Sequence, residues 1–264
     1  MRTAIALGVL AVVTAPAAAL AQEQGEATDR TIRIRPGIGA QIRPDYPGAD
    51  NSEWAPYVKF SIARGDRPFS FGAPDDAFGI GLLSLGPLRV GPSANIQSGR
   101  KDSEIEAPLD KVKRTIEVGG FAEVMVLDQF RLRADLRKGI GGHEGMVGSV
   151  AADQIWRDGD KYVFSVGPRL LYSDSRYQRA FFGVSPEAAL ASELPEYRPR
   201  GGFHAVAAAA GMHYSLGGGL GLFGYARYER LIGDAANSPV VEELGSRNQM
   251  AAGLGLSYTM TVRK

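Results

Sequence analysis

The sequence predicts an all-β chain: a closed, transmembrane, antiparallel up-and-down β-barrel of about twelve strands. Three observations predict it. The run from Met250 to Met260 carries Met, Ala, Leu, Leu, Tyr and Met at even positions, and Ala, Gly, Gly, Ser and Thr at odd ones. One face suits hydrocarbon and the other is small or polar, and the pattern recurs along most of the chain. The chain opens on an export signal, and no later stretch reaches the ~18 consecutive apolar residues of a spanning helix.

In the signal, Arg2 supplies positive charge, Ile5 to Val13 a short apolar run, and Ala19-Leu20-Ala21 a cleavage site. Residues 1–21 are therefore expected to be removed, leaving one barrel domain over 22–264 in the outer membrane of a Gram-negative bacterium, in contact with its lipid. There is no cysteine, so disulfides, zinc-thiolate sites and thiol nucleophiles are excluded. A net charge of +1 gives no sign of a nucleic-acid partner. The 34 glycines fit a wall whose strands bend and approach closely.

Each strand follows from its alternation. Ile32 to Arg43 sets Ile32, Ile34, Ile38 and Ile42 against Arg33, Arg35, Gln41 and Arg43. Tyr57 to Arg64 sets Val58, Phe60 and Ile62 against Lys59 and Ser61. Pro68 to Ala73 is a short third strand, kept because an even number returns both chain ends to one side. Phe78 to Leu85 is the fourth, and Leu88 to Gln97 the fifth, with Arg89, Ser93, Asn95 and Gln97 on one face. In the sixth, Ile116, Val118, Ala122, Val124 and Val126 oppose Glu117, Phe121 and Glu123. In the seventh, Phe130, Leu132, Ala134 and Leu136 oppose Arg131, Arg133, Asp135 and Arg137. A charge at the midplane of the lipid face costs ~2–4 kcal/mol, so the charged sets face inward. The turn Leu127-Asp128-Gln129 then places Glu123 opposite Arg133. Val147 to Trp156, Lys161 to Tyr172, Phe203 to Leu216, Leu220 to Leu231 and the C-terminal run complete the twelve. Connections alternate between short turns and long loops, the latter around 44–54, 99–113, 173–202 and 233–247. Short turns belong on the periplasmic side and long loops outside.

Three separated motifs are specific. They are Phe181-Phe182-Gly183-Val184-Ser185-Pro186-Glu187, then Leu194-Pro195-Glu196-Tyr197-Arg198-Pro199-Arg200-Gly201-Gly202, then Tyr228 to Val241. With Arg43-Pro44-Asp45-Tyr46-Pro47-Gly48-Ala49-Asp50, they closely resemble the MipA/OmpV family of outer-membrane proteins. The resemblance implies a barrel. It also implies a non-enzymatic scaffold joining a murein lytic transglycosylase to a murein synthase, and other members are linked to envelope stress.

The residues show no catalytic constellation and imply no cofactor. His143-Glu144 lacks the second histidine of a zinc-protease helix and reads as an exposed loop pair. His213 and Ser215 share the inward face of one strand with no third group. The Gly217-Gly218-Gly219-Leu220-Gly221 run lacks the Lys-Ser/Thr of a phosphate loop and reads as a turn. Asp45, Asp50, Glu53, Asp75 and Asp76 read as acidic loop residues without calcium-loop spacing. Trp54, Tyr57, Trp156, Tyr162, Tyr172 and Tyr258 fit interfacial girdles. The informative set is the lumen. Arg33, Arg35, Arg43, Lys59, Arg89, Arg131, Arg133, Arg137, Arg169 and Arg227 point inward, against Glu117, Glu123, Asp135, Asp153 and Glu229. That set reads either as an anion-preferring channel or as a polar core bracing an occluded barrel. A twelve-strand size, and a 173–202 loop long enough to fold in, favour occlusion.

Overall fold

The computed structural model describes residues 31–101, 108–127 and 129–263. The export-signal expectation lies outside them. Two-residue alternation organises the wall throughout. β1 (Thr31–Pro44), β2 (Ser52–Arg64), β3 (Phe78–Gly79), β4 (Leu83–Leu85), β5 (Leu88–Gln97), β6 (Thr115–Val126), β7 (Phe130–Ile140), β8 (Met146–Asp158), β9 (Tyr162–Ser173), β10 (Gly202–Gly217), β11 (Leu220–Leu231), β12 (Asn248–Tyr258) and β13 (Met260–Arg263) form one antiparallel, curled sheet. From β5 to β12 every strand pairs with its sequence neighbours, and β12 then pairs with β1. β12 and β13 are two parts of one strand that continues past Thr259, pairing Met260 with Ile34 and Val262 with Ile32. β3 and β4 are likewise one bulged strand, both paired with β5.

Outward side chains such as Ile38, Val58, Leu132, Val150 and Leu254 are exposed and apolar, forming a belt for hydrocarbon. No helix among the described residues is long and apolar enough to cross a membrane. The inward face carries small residues where something must fit beneath them. On β10 these are Ala205, Ala207, Ala209 and Gly211. Tyr57 also points inward, correcting its assignment to an interfacial girdle. It is buried against Phe223 and Tyr225 at 5.0 and 4.9 Å between ring centroids.

The third expected strand is corrected. Residues 68–73 join no ladder; the segment 65–77 runs inside the sheet instead. β2 ends with Arg64 beside Ile32, at the end of the sheet that carries the short turns. The next wall strand starts with Phe78 opposite Ala94 and descends to Leu85 opposite Leu88, back at that same end. The chain must therefore rise between them, and it does so through the interior. Among the described residues it makes twelve passages, eleven in the wall and one within it. The two-proline, two-glycine composition from Gly65 to Pro74 explains why this passage is not a ladder strand. β2 and β3–β4 consequently run in the same direction, and no ladder joins them among the described residues.

The long loops gather at the opposite end. They carry α1 (Ser175–Phe182), α2 (Pro186–Ser192), α3 (Gly233–Ala236) and α4 (Pro239–Leu244). Asp174 caps α1 by accepting from the Arg176 and Tyr177 amides at 3.0 Å each. Arg100 donates to the Phe181 carbonyl at 2.8 Å, satisfying the other end of that helix. Tyr177, Phe181 and Phe182 pack with Tyr46, Leu231 and Val241 in a small apolar core that caps the sheet. The 173–202 loop thus covers the long-loop end of the sheet as a helical lid.

Candidate functional site

Between that cap and the short-turn end lies a continuous charged interior. β7 dominates it, because three arginines and an aspartate alternate with its apolar residues. Arg131 is fully buried (0 % exposed), and its guanidinium spans Asp76 and Asp153, each at 2.6 Å. Arg133 reaches Glu123 at 3.2 Å and Asp135 at 2.7 Å. The Glu123–Arg133 pairing across β6 and β7 matches the expected register. Arg137 binds Glu117 at 3.0 Å and also meets Asp135. Arg169, from β9, holds Asp153 at 2.7 Å and grips Asp75 through Nε and Nη2 at 2.9 and 3.0 Å.

The remaining predicted lumen residues sit around this centre. Arg89 donates to Glu123 at 2.7 Å, and Arg227 pairs with Glu229 and lies 3.6 Å from Asp75. Arg43 meets Glu53 at 2.9 Å and Ser98 at 2.8 Å. Arg33 binds Asp160 at 2.7 Å, while Arg35 stacks on the Phe69 ring at 3.8 Å. Lys59 makes no ion pair within 4 Å among the described residues.

The inward strap, residues 65–77, is what sequence reasoning missed. Phe69 is buried beneath Arg33 and Arg35, and its amide donates to Asp160 at 3.0 Å. Phe71 lies under Arg131, and Pro74 sits over Gly211, where a Cβ would approach to 2.8 Å. Asp75 and Asp76 are lumen residues, not loop acids. Together with Glu53 and Asp160 they add four carboxylates to the five expected, and Arg157, which meets Asp160 at 3.4 Å, adds a base. One signal was available beforehand. A ten-to-five excess of buried bases is electrostatically untenable, so acids had to enter from elsewhere.

Asp160 lies in the turn between β8 and β9, outside the wall strands. Burial pushes its carboxyl up, but the Phe69 amide, Arg33 and Arg35 outweigh this and hold it below the usual carboxylate range. His143 is corrected from an exposed loop residue to a buried one. Its Nε2 lies 3.2 Å from Glu117 Oε1, and its ring packs on Tyr177. His213 does not engage Ser215; its Nε2 faces Ser257 Oγ at 3.1 Å. The Gly217–Gly219 run is a turn with three positive φ values, the conformation for which glycine is the default. A polar cavity of about 160 Å³ remains between strap and lid, lined by Asp75, Asp76, Arg133, Arg137, Arg169 and Arg227 among others.

Residues 37–260 match the family profile described as MltA-interacting protein MipA. The chain belongs to the MipA family. This is a family of outer-membrane β-barrels, as the lipid-facing belt and antiparallel wall require. No curated protein matches the sequence. Among solved structures, the chain is similar to a bacterial polysaccharide outer membrane secretin at 10 % identity, covering 89 % of this chain and 100 % of that one, TM-score 0.41. It is also similar to the COG4313 outer membrane channel of Pseudomonas putida F1 (8 % identity, 89 % and 97 % covered, TM-score 0.42). An anion-selective porin from Comamonas acidovorans follows at 10 % identity, 87 % and 98 % covered, TM-score 0.35. These likenesses concern the fold alone. Within this MipA-family barrel, three of the four motif regions lie in the lid: 181–187 joins α1 to α2, 194–202 packs beside them, and the 232–241 part of the last carries α3 and the start of α4.

Proposed function

We propose that this MipA-family protein is an internally braced, occluded barrel. It acts as a non-enzymatic scaffold, presenting its periplasmic end to murein-remodelling enzymes of the lytic transglycosylase and murein synthase kind. One observation carries this reading: the lumen is filled by a strap tied to the wall and roofed by an apolar lid. A barrel so filled holds its shape without offering a water path. A rigid rim is what a docking platform needs. The family's name, which refers to an MltA-interacting protein, supports the identity of the partner. The short turns at 86–87, 158–161 and 217–219, with the foot of the strap at 65–67, form the available surface. The test is affinity isolation of the full-length protein from solubilised envelope. Recovery of a lytic transglycosylase, lost when the Gly86-Pro87 turn, which holds no strap contact, is exchanged for a longer charged turn, supports the reading. Recovery of neither murein enzyme sinks it.

A second reading is favoured by how the strap is held. A small-solute, anion-preferring channel requires that the strap can withdraw. The strap is fixed to the wall chiefly through side chains. Stable current steps from the refolded wild-type barrel in a planar bilayer would move this reading ahead.

A further inference from the structure

Arg131, Arg169 and Arg227, with Arg133 beside them, form a compact cationic cluster drawn from three wall strands. Wall carboxylates already meet these arginines: Asp153 is shared by Arg131 and Arg169, Arg133 holds Glu123 and Asp135, and Arg227 pairs with Glu229. Two consecutive strap carboxylates complete the set. Asp76 receives two donations from Arg131, at 2.6 and 3.0 Å, and Asp75 two from Arg169, at 2.9 and 3.0 Å. Such forked pairing is how guanidinium recognises carboxylate.

The carboxylates arrive on the strap and not on a wall strand. Among the described residues their backbone is tied within the strap itself, by the Asp76 amide to the Ala73 carbonyl at 3.2 Å. Most wall strands are held by long backbone ladders, with eleven pairs between β6 and β7. The strap relies on ionic grips, the Phe69 and Phe71 rings under arginines, and side-chain donation to its carbonyls. Beside the two aspartates lies the polar cavity already described, and elsewhere in the lumen Lys59 makes no ion pair within 4 Å among the described residues.

We propose that this arginine cluster is an anion-binding site whose tethered occupant is the Asp75–Asp76 pair, and that it takes a small free dicarboxylate when the pair is removed or the strap withdraws. The strap competes from a high effective concentration, because it is covalently attached. The native chain therefore resists exchange, and deleting the tethered charges exposes the site. This inference goes beyond the scaffold reading and stands without it, since no murein enzyme enters the test.

The experiment uses the refolded full chain and the Asp75→Asn/Asp76→Asn variant, with thermal midpoint followed by heat-modifiable gel mobility. Succinate is the probe, with acetate, inorganic phosphate and sodium chloride at matched ionic strength. The variant is expected to melt several degrees below wild type. Millimolar succinate should restore most of that loss while the wild type stays unmoved. In planar bilayers the variant should show anion-biased steps that succinate reduces at least several-fold. A variant that responds to succinate no more than to chloride overturns the site. Rescue by phosphate alone overturns the dicarboxylate class. Should the double variant not refold, Asp75→Asn keeps the Arg131–Asp76 pair and is scored by the same criteria at Arg169 and Arg227.

Discussion

Replacing Arg131 with methionine tests whether the lumen is a bracing network. The substitution keeps the length and apolar stem of the side chain but removes its charge. Arg131 makes four hydrogen bonds to two carboxylates: Nε and Nη2 to Asp153 at 3.0 and 2.6 Å, Nη1 and Nη2 to Asp76 at 2.6 and 3.0 Å. At about 1.5–3 kcal/mol for each bond to a charged group, their simple total would be roughly 6–12 kcal/mol. The structure says the loss is smaller. Asp153 keeps Arg169 at 2.7 Å, and Asp76 keeps the Ala73 amide at 2.8 Å. What remains is a buried network with one partner removed, for which about 3–5 kcal/mol is expected. The assay is guanidinium unfolding of the refolded barrel in lipid vesicles. Adding Asp153→Asn closes a double-mutant cycle, and the pair should cost about 1–3 kcal/mol less than the two single losses together. Arg198→Gln is the surface control, since Arg198 and its partner Glu196 are exposed, and it should move stability by less than about 0.5 kcal/mol. If Arg131→Met matches that control, the interior charges are not bracing the wall and the reasoning fails.

The lid, the lipid face and the turn give independent tests. Phe182→Ala removes a ring that is 0 % exposed, and about 3–5 kcal/mol should be lost from the lid. Protease added to intact cells should then cut between residues 174 and 201, which it leaves whole in the wild type. Leu132→Arg places a charge on the outward side of the strand that tolerates Arg131 and Arg133 inward, and should cost about 2–4 kcal/mol by vesicle unfolding. Asp160 predicts a pH dependence with a definite sign. Its carboxyl is held below the ordinary 3.8, so its contribution is complete above that pH and disappears as pH falls through the lower folded value. The stability gap between wild type and Asp160→Asn should therefore be constant from pH 7 to 5 and shrink only below 3.8. A gap that instead closes between pH 7 and 5 contradicts the Arg33–Asp160–Phe69 anchor.

The sequence by itself determined the wall. Two-residue alternation fixes which side chains meet lipid and which meet the lumen, because a slip of one residue would expose every arginine of β7 to hydrocarbon. The same parity placed Glu123 opposite Arg133. Tertiary structure alone decided what fills the space those residues enclose. The passage from Gly65 to Ala77 has too few alternating residues, and too many prolines and glycines, to declare its place by periodicity. It leaves the wall because Asp75 and Asp76 find guanidinium groups from β7, β9 and β11, which are at least fifty residues away in sequence. His143 and Tyr57 were misplaced for a related reason. A histidine between glycines looks like loop, and a tyrosine at a strand end looks like girdle, until the Glu117 carboxylate and the Phe223 ring arrive from other strands to bury them. Local pattern governs orientation, whereas charge balance in the lumen is a property of the whole molecule.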